Sequence, residues 1–185
     1  MKLAIAAYFS GDNRVADVEF ARVRSEVAST GKLDLMARAE LVHCAAQAAA
    51  LDLTECDKFQ ALAADAAPPE RAYAAFLQGR WTGLDAQQLP KQYQPLLTGA
   101  AGMDTLKAME DPLSRLVAAS ALLRQNRLPP EGIQLAGDTA SDQGWRRAVL
   151  AWLGLQAQLA EKAGNRLEAE RLKRRLALAA GQDKP

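Results

Sequence analysis

The chain has 185 residues and a formal net charge of +1, and 39 alanines and 27 leucines fill more than a third of it. Ile, Val and Thr together occupy only fifteen positions, too few for the strands of a sandwich, barrel or parallel sheet. Ala and Leu lose little freedom in a helix, so the composition predicts an all-α fold, and the near-neutral charge excludes a general nucleic-acid binder.

Residues 1–13 carry only seven consecutive apolar residues, Leu3 to Phe9, with no small-x-small cleavage pattern after them, so Leu3–Phe9 is expected to belong to the fold. From Asn13 to Thr30, Ala16, Phe20, Val23 and Val27 follow the i, i+4, i+7, i+11 spacing of an amphipathic helix, stopped by Gly31. Asp34 is expected to cap a second such helix running to Ala50, whose alanines invite a close neighbour. Thr54 and Asp57 resemble a capping box opening a helix over Glu55–Ala66, and Pro68-Pro69-Glu70 starts another that ends at Gly79. Arg80–Gly102 is rich in Gly and Pro, and short helices are expected only around Ala86–Leu89 and Lys91–Leu97.

Asp111-Pro112 predicts a helix over Leu113–Gln125, and Pro129-Pro130 a short one to Ala136. Trp145, Val149, Trp152, Leu153 and Leu159 place the longest helix over Ser141–Ala163, with Gly154 as a second point of close packing. Gly164 stops it, and Asn165 with Glu168 starts the last helix, which ends near Ala180. Short breaks between these segments predict one domain, residues 1–185, of stacked antiparallel helical hairpins without significant sheet.

Two cysteines, Cys44 and Cys56, have eleven residues between them. On two helices of one tight hairpin they would miss each other, and a disulfide requires Leu51–Glu55 to double back as extended chain. We favour that bridge, worth roughly 3 kcal/mol by loop closure, over two buried thiols acting as small hydrophobes. A bridge would imply an oxidising compartment.

Little else points to chemistry. His43 is the only histidine, so Glu40-x-x-His43 lacks the second motif a di-iron bundle needs. A zinc quartet of His43, Cys44, Cys56 and Asp57 is disfavoured, because adjacent helical residues point about 100° apart. Ser29-Thr30-Gly31-Lys32 lacks the first glycine and the metal-binding hydroxyl of a phosphate loop. The acidic pairs Glu110-Asp111 and Asp138 with Asp142 lie near loops, where caps and solvated charge are the simpler explanation of a hydrolase-like pair. No catalytic residue, metal site or cofactor is expected.

Trp81, beside Arg80, either caps a hairpin end or anchors an interface. Between Trp145 and Arg175, eight cations stand against three glutamates. Arg171, Arg174 and Arg175 are the candidate patch there for an acidic partner or anionic lipid, although interruption by glutamates favours a solvated helix face. No run of 18 apolar residues is present.

The final hairpin resembles a tetratricopeptide hairpin at Gly164-Asn165 and Ala169, but Ala160, Lys173 and Leu176 depart from that pattern and no second copy follows at a period of about 34. Arg38–Cys56 and Gly144–Leu178, under a third of the chain, resemble segments of small helical bacterial lipoproteins of unassigned function. That resemblance implies a periplasmic domain tethered through an N-terminal lipid anchor removed from this sequence, and it also favours the Cys44–Cys56 bridge. The expected role is a non-enzymatic binding or assembly module of the cell envelope with a protein partner. A cytoplasmic inhibitor or immunity-type binder is the alternative, and a carboxylate-based hydrolase of an envelope polymer the third reading.

Overall fold

The structure, a computed structural model, describes residues 1–99 and 102–181. Among them are eleven α-helices, one 3-10 turn and no strand. The first three helices are α1 (Lys2–Ser10), α2 (Asn13–Ala28) and α3 (Leu33–Ala49). A single turn, α4 (Asp57–Gln60), precedes α5 (Pro68–Leu77), the 3-10 turn Ala86–Gln88 and the short α6 (Gln94–Leu97) and α7 (Gly102–Ala108). The chain then completes α8 (Pro112–Arg124), α9 (Pro130–Asp142), α10 (Arg146–Lys162) and α11 (Arg166–Ala180).

Local chemistry sets most of these boundaries. The side chains of Asp12, Asp111 and Asn165 accept the backbone N–H groups of Val15, Ser114 and Glu168 at 3.0, 2.7 and 3.2 Å, opening α2, α8 and α11. Prolines open α5, α8 and α9, where a missing N–H costs nothing. Consecutive helices pack against each other as antiparallel hairpins through the short connections 11–12, 29–32, 125–129, 143–145 and 163–165.

α8 is the centre of the molecule: seven successive residues, Leu116 to Leu122, are buried, so every face of that helix is covered. It packs on α3, and both helices bury alanines: Ala118, Ala119 and Ala121 on α8, and Ala37, Ala45, Ala46, Ala48 and Ala49 on α3. Small side chains on both helices let the backbones approach, as the alanine-rich sequence of α3 predicts. The N-terminal helices also close against α10. Trp152 is 0% exposed and donates its Nε1 hydrogen to the carbonyl of Ala49, 2.9 Å away, while Trp145 stacks on Phe9 with ring centroids 4.4 Å apart.

Several boundaries differ from the sequence reading. The expected helix Ser141–Ala163 is interrupted at Gly144, whose φ of 63° no helix interior accommodates, so α10 starts at Arg146. α9 instead runs on to Asp142, where Ala136, Thr139 and Ala140 are buried, and the hydroxyls of Thr139 and Ser141 are satisfied by the carbonyls of Leu135 and Gly137 at 2.8 and 2.9 Å. Lys32, not Asp34, precedes the first turn of α3, and Asp34 lies inside that turn, where the helix dipole favours it. The helix expected over Glu55–Ala66 shrinks to α4; Thr54 donates to Asp52 at 2.9 Å rather than capping.

α7 is absent from the sequence reading, since its apolar content is low; Leu106 is buried and Met103 packs against the core. Gly154 faces open space, so the close packing expected there is absent, whereas a Cβ at Gly137 would meet the end of the Gln156 side chain. Leu159, expected in the core stripe of α10, is 40% exposed.

Candidate functional site

Arg38, Leu41 and Val42 recur at i, i+3 and i+4, so they share one face of α3. That face looks onto the start of α5 and onto residues 87–90, and the three together enclose a groove of about 560 Å³. Its walls are mainly apolar, from Leu41, Val42, Pro69, Tyr73, Leu89 and Pro90. This size and character suit a small ligand or one short segment of another chain.

One charged pair lies in the groove. Glu70 stands third in α5, where unpaired N–H groups and the helix dipole favour a carboxylate. It is 7% exposed, and its Oε1 accepts the Nε hydrogen of Arg38 at 2.6 Å. Its other oxygen, Oε2, is buried without a hydrogen-bond partner, an arrangement that costs on the order of 1–3 kcal/mol. The Arg38 side chain is itself largely exposed, and among the described residues only Glu70 receives a hydrogen bond from it. Beneath the groove Tyr73 stacks on Tyr93 at 5.7 Å, and Tyr93 on Phe76 at 4.9 Å. Burial pushes the phenols of Tyr73 and Tyr93 above their ordinary range, so both stay neutral. The groove thus combines apolar walls with a net-neutral donor–acceptor pair. The exposed guanidinium hydrogens of Arg38 suit a carbonyl oxygen, and Glu70 behind them holds the guanidinium in place.

A second cavity, about 390 Å³, lies over the cysteines and includes Glu40, His43, Glu55, Asp57 and Lys58. Cys44 and Cys56 are joined, with Cα atoms 5.9 Å apart, a span that suits a disulfide. Residues 52–56 are not helical, which is the geometry the pairing requires. His43 stacks on Phe20 at 4.0 Å and meets the edge of Tyr8. Burial, with help from Lys58 and Arg24, lowers its pKa to about 4. Among the described residues, no group of three or more His, Cys, Asp or Glu side chains is placed to hold a metal ion.

The other candidate residues do not form one surface. Trp81 is half-buried, stacks on Phe76 at 5.2 Å, donates to its carbonyl at 3.0 Å and carries the Arg127 guanidinium over its ring. Arg80 beside it is exposed, faces Glu55 at 3.9 Å and bonds the Gln78 side chain. Arg171, Arg174 and Arg175 lie apart from these, on α11. Arg171 pairs with Glu168 at 3.4 Å, and Arg175 reaches Asp138 at 3.9 Å across to α9. Two other cations of the same run, Arg146 and Arg147, close helix ends: Arg146 donates to the carbonyls of Ala179 and Ala180 at 3.0 and 2.7 Å, and Arg147 to that of Tyr8 at 2.7 Å. Asp111 caps α8, so one member of the expected acidic pairs is occupied structurally.

Sequence reasoning missed the Arg38–Glu70 pair. Glu70 was visible as a helix-start acid, but its partner lies thirty-two residues earlier on another helix. The chain matches no family model, no curated protein and no solved structure.

Proposed function

We propose that this protein is a non-enzymatic binding module of the cell envelope, which holds an apolar, amide-bearing segment of a protein partner in the α3–α5 groove. The observation that carries this reading is the apolar groove with the exposed guanidinium of Arg38 at its edge, held there by the buried carboxylate of Glu70. The carbonyl of a backbone amide can accept from the guanidinium of Arg38, and an apolar side chain next to it fills the volume between Val42, Tyr73 and Leu89. Because the pair sums to zero charge, the groove favours a neutral peptide segment over a strongly charged ligand. The Cys44–Cys56 pairing supports an oxidising compartment for the module.

The test is a titration of the isotopically labelled chain with an acetylated, amidated leucine tripeptide, followed by NMR. Saturable shifts are expected at Arg38, Val42, Tyr73 and Leu89. Arg38→Ala removes the donors, and Glu70→Gln removes the charge that holds them in place; each should weaken binding about tenfold. Scattered, non-saturating shifts, or affinities unchanged by both substitutions, would refute the reading. For the compartment, two reactive thiols in protein unfolded without reductant would contradict an envelope location.

A further inference from the structure

The outer face of α11 presents a regular pattern that packing within the chain does not use. Leu167, Arg171, Arg174 and Leu178 stand at i, i+4, i+7 and i+11, which places all four on one line along the helix. Leu167 is 88% exposed and Leu178 is 69% exposed, and both arginines between them are exposed. The opposite side of α11, through Ala169 and Leu172, packs on α10, so this stripe points away from the rest of the chain. Two leucines separated by about 16 Å, roughly three turns, with two cations between them, form a linear apolar–basic–basic–apolar surface.

We infer that this stripe docks an acidic amphipathic helix of a partner protein, one that carries apolar, acidic, acidic and apolar residues at the same spacing. Charge complementarity selects this occupant. A second copy of the chain fits the leucines but not the arginines. In the antiparallel register that sets Leu167 against Leu178 of the other copy, Arg171 meets Arg174 twice over, and four guanidinium groups crowd the middle of the contact. Sliding the register to separate them strands a leucine at each end. An anionic lipid surface also suits the arginines, but it is broad. It would meet Glu161, Glu168 and Glu170, which flank the stripe and hold Lys173 and Arg171 in ion pairs. A helix is narrow enough to cover the stripe and leave those glutamates in water. Its carboxylates would supply Arg174 with an acidic partner, which it lacks within 4 Å among the described residues, and would share Arg171 with Glu168.

This surface shares no residue with the groove on α3 and α5, so it stands or falls independently of the proposed function. It is tested on the full chain by fluorescence anisotropy with a labelled, alanine-based helical peptide carrying Leu, Glu, Glu and Leu at i, i+4, i+7 and i+11. The control peptide has Lys in place of both Glu. The acidic peptide should bind at least tenfold more tightly than the control, and raising the salt from 50 to 500 mM should weaken it several-fold. Arg171→Glu/Arg174→Glu should reverse the preference between the two peptides, and Leu167→Ser/Leu178→Ser should abolish binding of both. All four positions are exposed, and unchanged helical circular dichroism confirms that the variants remain folded. Equal binding of both peptides, or no saturable binding of the acidic one, overturns the inference. So does dimerisation in sedimentation that is lost in Leu167→Ser/Leu178→Ser, or adsorption of the chain to phosphatidylglycerol vesicles without peptide binding.

Discussion

The α3–α8 seam and the α11 helix are built from the same residue types, yet they use them in opposite ways. On α3 and α8 the alanines and leucines are buried against each other, and α8 has no free face along its buried run. On α11 only Ala169 and Leu172 are buried, and Leu172 forms a small separate cluster with Leu153 and Ala157 of α10, while Leu167 and Leu178 face water. Helix propensity is therefore common to both regions, and tertiary burial distinguishes them. The seam holds the fold together, and α11 is carried on one side of it with a face left over for contact.

The difference is most sharply broken at Trp152, whose ring joins α10 to the end of α3. Trp152→Ala should cost about 3–5 kcal/mol in chemical denaturation, enough to threaten folding. Next comes the link between α3 and the segment after it. Replacing Cys44 and Cys56 together by alanine should lower stability by about 3 kcal/mol, read as a reduced denaturation midpoint.

A smaller effect belongs to His43, held between Phe20 and Tyr8. Its pKa of about 4 in the folded chain lies below its ordinary 6.5, with burial the largest cause and Lys58 and Arg24 next. The unfolded chain therefore takes up the proton first as pH falls. The stabilisation is complete above 6.5 and is lost on going down through 4. His43→Phe keeps the stacking and removes the titration. Between pH 7 and 4 the parent should lose about 1–2 kcal/mol more than this variant, a figure reduced for the ring's partial exposure to solvent. The least sensitive positions are on α11, where Leu167→Ser and Leu178→Ser should each change stability by no more than about 0.5 kcal/mol. A loss comparable to that of Trp152→Ala would remove the distinction between the two regions.

Much of the helical plan is legible in the sequence because caps and prolines act locally. Asp111-Pro112, Pro68-Pro69 and Asn165 with Glu168 mark helix starts that the structure keeps. Where the reading fails, a long-range contact overrides the local signal. The helix after Thr54 is cut short beside the Cys44–Cys56 link, and the polar end of α9 stays helical where Thr139 and Ala140 are buried. The groove is legible only in halves. Leu41 and Val42 belong to a visible helix and Glu70 to a visible helix start, but nothing in sequence joins Glu70 to Arg38. The stripe on α11 is periodic in the sequence, although only the position of α10 reveals that Leu167 and Leu178 lie on its outer side. Arg171, Arg174 and Arg175 stand out in the sequence as a candidate patch interrupted by glutamates, and the structure ties Arg171 and Arg175 to neighbouring acids.

Native-state hydrogen exchange, resolved residue by residue, tests the contrast between the two regions most directly. Amides of α3 and α8 should exchange only when the whole chain unfolds, while those of α11 should exchange through a local opening at least about 2 kcal/mol easier. Protection of α11 equal to that of α3 and α8 would contradict the account, since α11 would then be as firmly built into the core as the seam itself.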